Sequence, residues 1–152
     1  MSQRVTVNGN GPMTDGVRLD RAQITVPITS DLDIVAARQR GRLLAVELGY
    51  SATQATLIAT AISELARNIV LYATRGEILL AGANDGARVG IVVTARDQGP
   101  GIKDVPYAIA GGHSTSGGLG LGLAGVRRLM DVFEISSQPG QGTTVTVTSW
   151  KH

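Results

Sequence analysis

The longest regular pattern in the chain lies between residues 51 and 72, where Ala55, Ile58, Ile62, Leu65, Ile69 and Tyr72 recur at spacings of 3, 4, 3, 4 and 3. That is the period of one buried helix face, and it predicts a helix from about Ser51 to Tyr72. Upstream, Ile34, Val35, Leu43, Leu44 and Leu48 mark a first helix, capped by Ser30 or Asp31 and ended at Gly49. Before it, Ile24-Thr25-Val26-Pro27-Ile28 alternates as a short strand whose proline suits a sheet edge. Two strands are predicted near 77–81 and 88–96, joined by the turn-forming Asn84-Asp85-Gly86. A polar, glycine-rich stretch then fills 97–118, and a third helix covers about 120–131 on Leu119, Leu123, Val126, Met130 and Phe133. Strands at 132–137 and 143–149 close the chain, with Val145 and Val147 alternating with Thr144, Thr146 and Thr148. Residues 1–22 carry Gly9, Gly11, Pro12 and Gly16 without a sustained period, so they read as a mobile tail ahead of one domain at 23–152. The predicted fold is α+β, a mixed β-sheet covered on one face by about three helices.

The second helix carries a second stripe, Leu57, Ala61, Glu64, Asn68 and Leu71. Glu64 and Asn68 lie one turn apart, separated by only about 40° around the axis. A carboxylate and an amide set into an otherwise apolar stripe point toward a pocket, while Thr56, Thr60, Ser63 and Arg67 form the polar face. Both groups present oxygen, which suits a hard cation such as Mg²⁺ and the activation of a hydroxyl nucleophile. A solvated glutamate beside a helix-interior asparagine is the plainer alternative. Asp97-Gln98-Gly99-Pro100-Gly101 follows the apolar run Ile91–Ala95, so Asp97 ends a strand beside a sharp turn. A carboxylate there can accept a hydrogen bond from an exocyclic amine, although such turns also serve as ordinary surface hairpins.

Thr115-Ser116-Gly117-Gly118-Leu119-Gly120-Leu121-Gly122-Leu123 is a glycine-rich loop running into a helix. Backbone amides in such a loop can reach phosphate oxygens, and the helix N-terminus adds partial positive charge. A flexible connector with a glycine-assisted helix start is the alternative. Gly140-Gln141-Gly142-Thr143-Thr144 then enters the last strand, where Thr143 can share in recognition of a base. No Gly-x-x-x-x-Gly-Lys-Ser/Thr occurs, and the glycine cluster comes too late in the chain for a Rossmann site.

Composition narrows the classes further. No cysteine is present, which removes disulfides, a thiolate nucleophile and cysteine-based zinc sites. A net charge of +2 and one Trp, three Tyr and one Phe offer little to nucleic acid. No apolar run approaches the roughly 20 residues of a membrane span, and no secretory signal pattern opens the chain, so a cytoplasmic protein is expected.

The four elements, in this order, resemble the Bergerat ATP site of the GHKL superfamily: Glu-x-x-x-Asn on a helix, Asp-x-Gly-x-Gly at a strand end, a glycine-rich lid before a helix, and Gly-Thr before a strand. Within that superfamily the chain most resembles the RsbT-like switch serine/threonine kinases of stressosomes, relatives of the anti-sigma factor kinases. The matching stretches are Asp33–Gln39, Ala61–Ile69, Asp97–Ile102, Ser114–Gly120 and Gly125–Asp131, within a resemblance spanning about 24–150. Ser-Thr-Ser-Gly-Gly-Leu-Gly is the most discriminating of them. The resemblance implies ATP and Mg²⁺ as cofactors and a small STAS-domain antagonist as substrate, with a PP2C-type phosphatase as a further partner. It implies Glu64 as general base, Asn68 as the Mg²⁺ holder and Asp97 as the adenine reader, helped by Thr143. Gly99 and Gly101 shape the base pocket, and Ser116, Gly117, Gly118, Leu119, Gly120, Leu121 and Gly122 form the phosphate-binding junction. Arg38 on the first helix is a candidate docking residue, with a plain exposed arginine as the alternative.

A histidine kinase is disfavoured, because His113 and His152 are the only histidines and neither precedes the site on a helix. A gyrase- or Hsp90-type ATPase calls for further domains. The rival of a different class is an anti-sigma factor that sequesters a sigma factor and is released by a partner. Nothing in the sequence sets an oligomeric state.

Overall fold

The computed structural model describes residues 3–8, 16–20, 22–102, 105–110 and 122–152. Their elements run β1 (Gln3–Asn8), β2 (Arg18–Leu19), β3 (Ile24–Ile28), α1 (Asp31–Glu47), α2 (Ala52–Tyr72), β4 (Gly76–Asn84), β5 (Val89–Asp97), α3 (Val105–Ala110), α4 (Gly122–Leu129), β6 (Val132–Gln138) and β7 (Gly142–Trp150).

Local chemistry sets the helix ends. Ser30 is the N-cap of α1, and Asp33 reaches back so that its Oδ2 accepts the backbone N–H groups of Thr29 at 2.8 Å and Ser30 at 3.2 Å. These amides have no partner inside the helix, and their bonds hold the Asp33 carboxyl below its ordinary value. At the other end Gly49 takes a left-handed turn (φ +86°) and the Tyr50 N–H closes onto the Ala45 carbonyl. Ser51 caps α2 by accepting the Gln54 N–H at 3.1 Å. The predicted stripe of α2 is its buried face as far as Ile69: Ala55, Ile58, Ile62, Leu65 and Ile69 join the core, whereas Tyr72 at the last turn is exposed.

The strands form one seven-stranded sheet ordered β1-β6-β7-β5-β4-β2, with β3 also paired to β4. Every pairing is antiparallel, which corrects the expected mixed sheet. The helical crossover between β5 and β6 does give those two strands the same direction. β7 is inserted between them and bonds to both, so no parallel pair forms. The paired rows Ile78, Ala95, Val145, Ile135 and Leu80, Val93, Val147, Phe133 turn one face to the helices, where they meet Ile34 and Ala37 of α1, the α2 stripe, Val105 and Ile109 of α3, and Val126 of α4. Burial of such side chains contributes roughly 1.5–3 kcal/mol each before entropy is subtracted.

Two further differences from the sequence reading concern chain that lacks strong local pattern. Part of the expected N-terminal tail is strand: Gln3–Asn8 pairs with Ser137–Val132 along the outer edge of β6, and Arg18–Leu19 pairs with Asn84 and Ala83 of β4. Within the predicted loop, Val105–Ala110 is helical, so four helices rather than three stand among the described residues. Val105 and Ile109, one turn apart, supply the apolar contacts that fix this short helix.

Candidate functional site

The C-terminal end of α2, the end of β5, the start of β7 and the facing ends of α3 and α4 surround a cavity of about 360 Å³. Leu65, Ile69, Ala95, Ile102 and Val145 supply apolar wall, and Tyr72 and Tyr107 stand half-exposed at its border. Besides these two tyrosines, Asn68, Asp97 and Thr143 are the polar side chains among its lining.

Asp97 sits at the end of β5 because its strand partners hold it on both sides, Gly76 on β4 and Thr143 on β7. Its Oδ1 accepts the Gly99 N–H at 2.9 Å and the Thr143 N–H at 3.3 Å. No described residue bonds to Oδ2, leaving a carboxylate oxygen as an acceptor at the cavity. Gly142, opposite, has φ +97°, and a Cβ there would collide with the Asp97 carbonyl oxygen. The glycine therefore lets β7 start against β5 at this point.

The two glycines of the Asp-x-Gly-x-Gly turn divide their work. Gly101 lines the cavity, whereas Gly99 does not. A Cβ on Gly99 would fall 2.7 Å from that of Ala73, so its role is to let the turn pack on the end of α2 while its amide orients Asp97. Ser137 is a residue the sequence reading missed. It is 2% exposed, its Oγ accepts the Ile102 N–H at 2.8 Å, and it lies 2.9 Å from the Thr143 hydroxyl. The available signal was a hydroxyl at the third of three alternating inward positions, after Phe133 and Ile135.

At the opposite end of the cavity stand Asn68, Gly122 and Leu123. Glu64, one turn before Asn68, is only 7% exposed, and its Oε2 accepts the Gly122 N–H at 3.3 Å. That amide belongs to the first residue of α4, where the helix dipole adds partial positive charge. Glu64 is thus turned away from bulk water, but of the expected pocket-facing pair only Asn68 lines the cavity, and Glu64 lies behind it against the Gly122 amide. Ser116, Gly117, Gly118, Leu119, Gly120 and Leu121 lie outside the described residues. Arg38 is exposed on α1, where the exposed Leu32, Val35, Leu43 and Val46 share one side of the helix. It does not line the cavity.

An acceptor near one end, a helix N-terminus near the other and apolar walls between suit a ligand that joins a planar base to an anionic group. Residues 53–151 match the family described as histidine kinase-, DNA gyrase B- and HSP90-like ATPase. The chain belongs to this GHKL ATPase family. It is also similar to the serine/threonine-protein kinase RsbT of Bacillus subtilis (strain 168), with 50% identity over 128 residues, covering 84% of this chain and 96% of that protein. The four elements of the GHKL site are thus read on a chain of that family, and three of them converge on one cavity, with the fourth represented by Gly122 and Leu123.

ATP fits the residues present. Asp97 Oδ2 offers an acceptor of the kind an exocyclic amine requires, and the apolar walls suit the faces of a base. The α4 N-terminus suits phosphate. Among the described residues no cluster of three or more His, Cys, Asp or Glu side chains is placed to hold a metal by itself. The Asn68 side chain offers a carbonyl oxygen at the cavity, a donor of the type that would hold Mg²⁺ together with phosphate oxygens. No helix among the described residues is long and apolar enough to cross a membrane.

Proposed function

We propose that this GHKL chain is an ATP-dependent serine/threonine protein kinase that phosphorylates a small STAS-domain antagonist in a partner-switching module of the stressosome type. The observation that carries the reading is the bond from the Gly122 amide, which borders the cavity, to the buried Glu64 carboxylate one turn from the cavity-lining Asn68, in a chain 50% identical to a protein named as a serine/threonine kinase. A carboxylate there is suited to take the proton from an incoming hydroxyl as general base. Bound ATP supplies the phosphoryl group and Mg²⁺ neutralises its charge. Asn68 holds the cation, Asp97 and Thr143 read adenine, Gly101 borders the base pocket, and the Gly122 amide with the preceding segment 116–121 faces phosphate. Phosphoryl transfer asks chiefly for positioning and charge neutralisation, and these residues supply both.

Docking of the STAS protein is assigned to α1. Leu32 is 81% exposed there, Val35, Leu43 and Val46 are exposed beside it, and Arg38 and Arg42 flank them. An apolar strip edged by arginines suits a partner with an apolar surface and acidic neighbours. Binding and activation of a PP2C-type phosphatase is the further partner function this reading carries.

The test is a transfer assay with radiolabelled ATP, Mg²⁺ and a panel of STAS-domain proteins, run beside Glu64→Gln. Label on one STAS protein with wild type, lost by at least about a hundredfold in the variant while ATP still binds, supports the kinase and its base. Equal rates in the two proteins would refute the role of Glu64. No label on any STAS protein, together with tight capture of a sigma factor, would transfer the assignment to an anti-sigma factor.

A further inference from the structure

Arg127 is a charged residue of α4 that does not line the nucleotide cavity. Its Nη1 donates to the carbonyl of Ile109 at 3.1 Å. Ile109 is the fifth of the six residues of α3, so its carbonyl is among the last four of that helix and has no partner within it. A guanidinium at this end also meets the negative pole of the helix. A helix of one and a half turns does not hold itself, and its placement depends on what it touches. The side chains of Val105 and Ile109 fix α3 to the core, and the Arg127 bond fixes it to α4.

These same two helices border the nucleotide cavity with other residues. α3 contributes Tyr107 and Ala108, and α4 contributes Gly122 and Leu123. Arg127 instead lines a separate pocket of about 170 Å³ formed by Ile109, Ala110, Ala124, Arg128, Met130 and Asp131. In sequence, α3 and α4 are the two ends between which the glycine-rich motif runs. The placement of α3 against α4 is therefore set in part by a contact made outside the cavity.

We infer that Arg127 is a positioning residue: by clasping the C-terminal end of α3 to α4, it sets the α3 wall relative to the Gly122 amide and so tunes the phosphate end of the site without touching the nucleotide. This rests on the reading of the cavity as an ATP site. The adenine end is built independently, by Asp97, Gly99, Ser137 and Thr143 on the sheet and its turns. Loss of the clasp consequently weakens ATP while sparing adenosine, which has no phosphates.

Calorimetric titration of Mg·ATP and of adenosine into wild type, Arg127→Met and Arg127→Lys tests this. Methionine keeps much of the apolar stem and removes every donor. Its expected effect is a loss of about tenfold in ATP affinity with adenosine held within about twofold, as for loss of one charge-assisted bond. Lysine, which carries the same charge to the Ile109 carbonyl, restores most of the ATP affinity. Unchanged ATP affinity in Arg127→Met overturns the clasp. A matched loss for both ligands with a lowered melting temperature, unrelieved by lysine, overturns it in favour of a merely structural contact. Wild type that binds neither ligand overturns the ATP reading itself.

Discussion

On the proposed ATP reading, Asp97→Asn separates two tasks of one carboxylate. Oδ1 holds the Gly99 amide at 2.9 Å and the Thr143 amide at 3.3 Å, and Oδ2 is the acceptor left for the base. Asparagine retains a carbonyl for the two amides and sets an NH₂ group where Oδ2 stood. Facing an adenine amine, that places donor against donor. Hydrogen bonds to charged groups contribute about 1.5–3 kcal/mol, which corresponds to roughly 10- to 150-fold in affinity. The Kd for ATP is expected to rise by about a hundredfold, since repulsion between the donors adds to the lost bond. The melting temperature should move by no more than about 3 °C, because the structural bonds survive. Asp97→Ala is the contrast: it strands both amides, at about 1–3 kcal/mol for each one left buried, and should lower the melting temperature clearly. Calorimetry with ATP and with ITP gives a built-in check. ITP presents a carbonyl where ATP has its amine, so the asparagine variant should narrow or invert the wild-type preference for ATP. Binding of ATP within about threefold of wild type, with the same preference over ITP, would refute adenine recognition by Asp97.

Further outcomes can be measured on the same protein. Ser137→Ala leaves the Ile102 N–H without its acceptor and frees the Thr143 hydroxyl, so stability should fall by about 1–2 kcal/mol in urea unfolding and ATP affinity by a few-fold; an unchanged midpoint would show that the hydroxyl is idle. Deleting residues 1–8 removes the strand on the edge of β6 and should raise amide exchange at Val132–Gln138 and lower the melting temperature, whereas exchange identical to wild type would mean β1 is not paired there. The Asp33 carboxyl is held below its ordinary value of 3.8 by the Thr29 and Ser30 bonds, so its contribution to α1 is complete above that value and disappears as pH falls through the depressed one. The stability gap between wild type and Asp33→Asn should accordingly close in acid, and a gap constant from pH 7 down to 2 would sink the assignment.

The parts of the fold legible in the sequence were those encoded within a few turns of chain. α2 announces itself through Ser51, its cap, and through a buried stripe from Ala55 to Ile69. Glu64 stood out because a carboxylate interrupted an apolar row, and its burial follows from the same geometry. β1 was not legible, although Val5 and Val7 alternate with Arg4 and Thr6, because what makes them strand is an edge about 130 residues away in the chain. The sense of the sheet was hidden for a similar reason: β7 enters between β5 and β6 only after both have been laid down in sequence. Gly99 shows a finer limit. Its spacing from Asp97 marked the turn, but whether its missing side chain made room for a base or for Ala73 depended on where α2 ends in space.

The antiparallel placement of β1 has a practical side. Gln3 pairs with Ser137, the hydroxyl that orders the base end of the cavity, so the beginning of the strand lies at the nucleotide end of the sheet. β7 starts at that same end and runs in the same direction as β1, from Gly142 beside Asp97 to Trp150, whose carbonyl takes the Gln54 side chain near the start of α2. His152 therefore departs from the end of the molecule remote from the nucleotide. An affinity handle, fluorophore or surface tether fused ahead of Gln3 would sit at the end of the sheet that carries Asp97 and Thr143. The same attachment after His152 leaves the nucleotide end free, and is the geometry for sensors and immobilised assays of this protein.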